Sequence, residues 1–262
     1  MNLTEELQNR YGKGYLSYSS IKQGLGDIIQ FDRYMKGELK YKSDALDFGT
    51  LYDMMLFEPD KVDDQYILFS EQAVIDSLSD KAKKAKNIKM TSEYKNAVQA
   101  LHLDAEDSGK KIITEEMYQQ AKDMIDRLDS CGLIASHMTG EYQVEFNEEL
   151  YGVPVRGFLD CLGSNYITDS KSTQSISKFR YSVRDFSYDI QAFIYTRVFD
   201  IHDFYWVAQE KTYPYTPALI QCSENTIFQG EMKFDQAISN IKAFLSKGNS
   251  YDARKEYISF EV

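Results

Sequence analysis

Two periodicities divide the chain. Up to about residue 140 the apolar positions recur at helical spacing, and from Tyr142 they alternate with a period of two. In the first stretch, Leu16-Ser17-Tyr18-Ser19-Ser20 precedes an apolar-periodic run beginning at Ile21, which predicts a serine-capped helix. Ala45 to Phe57 (ALDFGTLYDMMLF) predicts a buried helix that stops before Pro59, and Gly49 inside it points to close packing. Thr114-Glu115-Glu116 places acidic residues where they oppose a helix dipole. Met117, Ala121, Met124, Ile125 and Leu128 then follow at helical spacing as core. The period-two region predicts strands over Tyr142 to Glu148, Tyr151 to Leu162 and Tyr166 to Lys171. A helix from Ser187 to Phe199, strands over Asp203 to Thr212 and Ala218 to Cys222, and a last helix from Glu231 to Lys247 complete the order. That last helix carries Phe234, Ile238, Ile241 and Leu245 on one face, with Gly248 as its stop. Helices, three strands, a helix, two strands and a helix predict one α/β (α+β) domain over residues 1–262. A central mixed β-sheet flanked by helices is expected in 141–262, behind a mostly helical part in 1–140.

Composition sets limits. With 43% hydrophobic and 27% charged residues among 262, a sizeable core is available. No apolar run approaches the ~20 residues of a membrane helix. Met1 to Arg10 is polar and acidic, unlike a signal peptide, so a cytoplasmic protein is expected. Three cysteines (Cys131, Cys161, Cys222) and three histidines (His102, His137, His202) are scattered, which excludes a zinc ribbon, a four-cysteine iron–sulfur cluster or a disulfide framework. The net charge of −11 argues against nonspecific coating of nucleic acid. It does not exclude an enzyme with its basic residues confined to a groove. The lysine-rich stretch Ser77 to Glu93 is either a solvated face or a nucleic-acid-facing segment.

The densest chemistry lies in Gly157-Phe158-Leu159-Asp160 and, nine residues after that aspartate, Asp169-Ser170-Lys171. Alternation in a strand points Asp169 and Lys171 the same way and Ser170 the other. A turn at Gly163-Ser164-Asn165 would fold Tyr166 to Lys171 back beside the Asp160 strand. Two carboxylates then converge on one hard cation, with the lysine next to it. Magnesium, which manganese can replace, takes such oxygen ligands and keeps several waters. The backbone carbonyl of Ser170 offers a further ligand, and Glu145 on the preceding strand either reaches the metal or makes a surface pair. A lysine beside the ion can orient water and stabilise charge on a phosphate. Gln191 and Tyr195, four apart on the predicted helix, share a face.

G-F-L-D…T-D-S-K followed by Q-A-F-I-Y resembles the PD-(D/E)XK nuclease superfamily, and more closely its RecE-like (exonuclease VIII) and RecB-nuclease branch. Leu16 to Ser20, Asp47-Phe48-Gly49-Thr50 to Glu58-Pro59, and Lys111 to Leu128 are similar to further segments of that family. The resemblance implies a restriction-endonuclease-like core and a Mg²⁺-dependent DNA exonuclease. Asp160 and Asp169 would be metal ligands, Lys171 the water-positioning lysine, and Gln191 and Tyr195 the supporting pair. It also implies 5′–3′ resection of double-stranded DNA ends in phage-type recombination in a bacterial host, a single-strand annealing protein as partner, and a ring-like homo-oligomer. One position departs: the family histidine three residues after F-G-T is Asp53 here, which either ligates the metal or has lost that role. No P-loop motif is present, so no helicase motor is built in. The competing expectations are an endonuclease on the same scaffold and a catalytically silent acidic DNA mimic.

Overall fold

A computed structural model describes residues 2–39 and 43–247. The chain forms two compact units, one of Met1–Lys42 with Cys131–Val262 and the other of Ser43–Ser130.

The 43–130 unit is helical around a small core of Leu51, Val62, Tyr66 and Ile113. Its helices include Asp44–Phe57, Ser92–Ser108 and Glu115–Asp129, capped by the side chains of Ser43, Thr91 and Thr114. The first of these is not buried throughout: Leu46 in its opening turn is 52% exposed. Two four-residue strands, β1 (Tyr66–Phe69) and β2 (Lys111–Thr114), pair in parallel. The lysine-rich stretch is mostly exposed and is tied down locally. Lys89 pairs with Glu71 at 2.7 Å, and Ser79 Oγ donates to Glu93 at 2.9 Å.

The other unit is built on a five-stranded mixed sheet in the order β3 (Glu141–Leu150), β4 (Val153–Leu162), β5 (Tyr166–Thr173), β6 (Asp203–Glu210) and β7 (Pro217–Gln221). Only β5 and β6 run parallel; the other neighbours are antiparallel. The β3–β4 hairpin turns on Tyr151 and Gly152, at φ 50° and 73°, the positive-φ geometry that matches strand twist. The expected strand start at Tyr151 is therefore a turn. The Gly163-Ser164-Asn165 turn forms as expected, closed by Gly163 N–H donating to the Tyr166 carbonyl at 2.9 Å.

β4 and β5 pair only at Cys161↔Thr168 and Leu162↔Ile167, then part. Near its start, the β4 edge left free takes a different partner: Leu16 N–H donates to Pro154 and Arg156 N–H donates to Leu16, both at 2.9 Å. The N-terminal segment thus occupies one end of a wedge between two strands.

Helix Tyr188–Phe199 is buried without a break from Asp189 to Thr196. It packs on β3 and β6, and helix Glu224–Ser246 packs on it in turn. A helix covered on several sides has no solvent stripe to reveal its period. The last helix starts at Glu224 rather than at Glu231, under a Ser223 cap; its expected stop at Gly248 lies outside the described residues. Helix Leu3–Tyr11, not evident from its polar sequence, contributes Leu3 and Leu7 to the sheet unit's core. Among the described residues no helix is long and apolar enough to cross a membrane.

Candidate active site

The wedge gathers the polar residues. Where the β4–β5 ladder stops, the next N–H along β5, that of Ser170, donates to Asp160 Oδ2 at 2.8 Å. A carboxylate thus replaces a backbone carbonyl as strand partner. Asp169 is 1% exposed and its Oδ2 pairs with the Lys171 ammonium, so these two side chains share a face as alternation requires. Lys171 Nζ also lies 5.0 Å from the centre of the Tyr188 ring.

Gln191 and Tyr195 brace this pair from the buried helix. Gln191 Nε2 donates to Asp169 Oδ1 at 2.8 Å and to Tyr195 Oη at 3.2 Å, and Tyr195 O–H donates to the Phe158 carbonyl at 2.9 Å. One relay therefore links the helix to both strands of the wedge. Gly157 leaves room for it: a Cβ there would stand 2.8 Å from the Phe146 ring and 3.4 Å from Tyr195. The helix itself is seated by Gly230, where a Cβ would lie 2.0 Å from the Asp189 carbonyl oxygen, and by the Lys233–Asp189 pair at 2.7 Å.

Burial dominates the electrostatics. It raises the Asp160 carboxyl from 3.8 to about 7, with the Asp169 charge adding to the shift. Burial also raises Asp169, against the opposing pull of Lys171. On Lys171 burial acts to lower the pKa, but the two carboxylates outweigh it and the ammonium is held well above its ordinary value. Two carboxylates thus face one lysine. Ser170 Oγ and Gln191 Oε1 are buried without a hydrogen-bond partner among the described residues.

The structure thus brings together Asp160, Asp169, Lys171, Gln191 and Tyr195. Glu145 is engaged elsewhere: Arg156 Nε donates to it at 2.7 Å. Asp53 stands on the Asp44–Phe57 helix of the other unit, where its charge acts on Tyr66. Among the described residues no group of three or more His, Cys, Asp or Glu gathers to hold a metal. A cation in the wedge would rest on two carboxylates, with backbone oxygen and water completing its shell.

Three features escaped the sequence reading. Gln143 on β3 sits opposite Asp160, at φ 50°, and its Nε2 lies 3.3 Å from Asp160 Oδ1. Left-handed backbone in a residue other than glycine costs about 1–2 kcal/mol. Helix Tyr18–Gln23 brings a second cation: Lys22 Nζ rests 5.1 Å from the Tyr18 ring centre, and its pKa is lowered by burial and then by the charge of Lys171. Finally, a cavity of about 280 Å³ is lined by Lys13, Tyr15, Ser17, Ser20, Arg156 and Phe158, among others. Arg156 Nη1 donates to Tyr15 Oη there at 2.7 Å.

A parting strand pair that presents D…D-x-K, braced by Q-x-x-x-Y from a buried helix, defines a member of the PD-(D/E)XK nuclease superfamily. The chain belongs to the family described as PDDEXK-like domain of unknown function (DUF3799), which matches residues 17–253. It is also similar to a crystal structure at 2.19 Å of a Eubacterium rectale protein provisionally described as an exonuclease. That match has a TM-score of 0.62 and 16% identity, and covers 100% of this chain and 94% of the other. At such identity the likeness speaks for the fold. No curated protein sequence matches.

Proposed function

We propose that the chain is a Mg²⁺-dependent deoxyribonuclease that degrades linear duplex DNA from its ends. The observation that carries this reading is the convergence of half-buried Asp160 and buried Asp169 with Lys171 in the β4–β5 wedge. Two carboxylates with depressed acidity fit a divalent cation, because Lys171 balances only one when both ionise. Hard oxygen donors favour magnesium over softer metals. Asp160 and Asp169 would hold it. The Ser170 carbonyl would assist, since the N–H and C=O of one strand residue face the same neighbouring strand and that N–H faces Asp160.

When bound, the ion supplies Lewis-acid polarisation of a phosphoryl oxygen. Lys171 stays protonated, so its part is that of a donor and not of a base. It orients the attacking water and stabilises negative charge growing on the phosphate. Gln191 fixes the Asp169 rotamer, and Tyr195 anchors the Phe158 backbone beside it.

The cavity at Lys13, Tyr15, Ser17, Ser20 and Arg156 supports end recognition. Lys13, the Glu145-paired Arg156 and several hydroxyls suit a terminal phosphate monoester, which carries more charge than an internal phosphodiester. The 5′–3′ polarity, the place in phage-type recombination and the annealing-protein partner rest on the family resemblance.

The test is digestion of duplex DNA, labelled at each terminus in turn, with Mg²⁺ or Mn²⁺. Linear DNA should shorten from the 5′ end, a covalently closed circle should survive, and Lys171→Ala should lose at least about 100-fold in rate. Cutting of the circle would make the protein an endonuclease. Inactivity of the wild type with every metal would leave the silent-mimic reading.

A further inference from the structure

We propose that Gln143 is a positioning residue, held in a strained backbone conformation in order to fix the carboxylate of Asp160 for a divalent cation. The inference rests on the nuclease reading above.

Three observations meet at this residue. The β3–β4 register pairs Tyr142 with Cys161 and Val144 with Leu159, and the position between them, Gln143 opposite Asp160, is left out of the ladder. Gln143 is the residue of that strand whose φ is left-handed, at 50°, and it is not at a turn: β3 continues to Leu150. Its amide is directed at Asp160, with Nε2 3.3 Å from Oδ1.

A regular antiparallel pair would leave the two side chains parallel, about 5 Å apart at their Cβ atoms. Breaking the ladder lets the amide end turn onto the carboxylate. Asp160 is then tethered from both sides, with Oδ2 accepting from Ser170 N–H on β5 and Oδ1 from Gln143 on β3. Each tether uses one lone pair of its oxygen and leaves the others open. The carboxylate plane is fixed across the wedge while the carboxylate stays able to ligate. Strain that no turn requires, located beside a half-buried carboxylate, marks a conformation retained for what it positions.

Glycine is at ease where φ is positive, so a purely structural role and a positioning role predict different outcomes at this site. The experiment compares wild type, Gln143→Gly and Gln143→Met. Thermal unfolding is followed in EDTA, Mn²⁺ affinity by titration calorimetry, and hydrolysis of linear duplex DNA with Mg²⁺. Gln143→Gly should raise the unfolding midpoint by about 2 °C and yet weaken Mn²⁺ binding by about 10-fold or more. Gln143→Met keeps the strain and removes the amide, so it should weaken Mn²⁺ binding similarly without raising the midpoint. Wild-type Mn²⁺ affinity in both variants overturns the inference, as does a wild type that binds no Mn²⁺. A Gln143→Gly protein no more stable than wild type overturns the strain argument. A wild type that binds Mn²⁺ but cleaves no DNA refutes the nuclease reading alone, and the Mn²⁺ titrations still decide the role of Gln143.

Discussion

Replacing Asp160 with asparagine should stabilise the metal-free protein, and increasingly so as the pH rises. The side chain keeps its shape, and its amide oxygen can still accept from Ser170 N–H. The ionisable proton is lost, and the amide nitrogen that replaces the other oxygen faces Gln143, whose own amide must turn its oxygen toward it. In the fold the Asp160 carboxyl is raised from 3.8 to about 7 by burial and by Asp169. A carboxyl with a raised folded pKa contributes stability that is fully present below 3.8 and is lost as the pH climbs through about 7. At roughly 1.4 kcal/mol per pH unit, the interval is worth at most about 4 kcal/mol. Partial solvent access and the proton shared with Asp169 reduce it to roughly 2–3 kcal/mol. Urea unfolding in EDTA, followed by circular dichroism at several pH values, reads this directly. Wild type and Asp160→Asn should be about equally stable at pH 4, and the variant should lead by about 2–3 kcal/mol at pH 8. Magnesium should restore the wild type at pH 8 by binding the folded state, with little effect on the variant. Stability curves that stay parallel from pH 4 to pH 8 would refute the argument, because they would mean that Asp160 ionises in the fold as it does in water.

Two further outcomes follow from the same geometry. Gly230→Ala should destabilise the protein by about 2 kcal/mol or more, since a Cβ 2.0 Å from the Asp189 carbonyl forces the last helix off the helix that carries Gln191; an unfolding midpoint like that of wild type would contradict the packing described. Lys13→Ala should lower the preference for a 5′-phosphorylated over a 5′-hydroxyl duplex end by about 10-fold, the worth of one charged hydrogen bond. Single-turnover digestion of the two substrates measures it, and an unchanged preference would remove Lys13 from end recognition.

Much of the candidate site was legible because its logic is local. Asp169 and Lys171 are two apart in a strand, Gln191 and Tyr195 four apart in a helix, and the turn before Tyr166 advertises itself through Gly163-Ser164-Asn165. The strand order from β3 onward and the two long helices were legible for the same reason, while the seven-residue helix Phe179–Asp185 after β5 was too short to show a period. What escaped depends on tertiary context. Gln143 looks like any outward polar residue of a strand, and nothing in its neighbours foretells a positive φ. Tyr151 passes for a strand residue because Tyr-Gly is an uncommon primed turn. Spacing alone offers Glu145 as a ligand and does not reveal its bond to Arg156, its near cross-strand neighbour. Four residues each of β1 and β2 are too few for a period to show. The apolar face places the start of the last helix at Glu231, although Ser223-Glu224 already offers a cap and an acidic first turn. Its opening stretch, with Phe228 and Met232 more than half exposed, blurs the apolar face.

The bridge between Leu16 and the start of β4 bears on how this protein should be handled at the bench. That single residue covers an edge which would otherwise present unpaired amides, and such edges recruit other chains. Trimming the chain to begin beyond residue 16 would keep Asp160, Asp169 and Lys171, yet leave an uncovered edge alongside them. Expression tags and cleavage sites are therefore best kept clear of the stretch between Tyr15 and Ser17, whose backbone satisfies that edge.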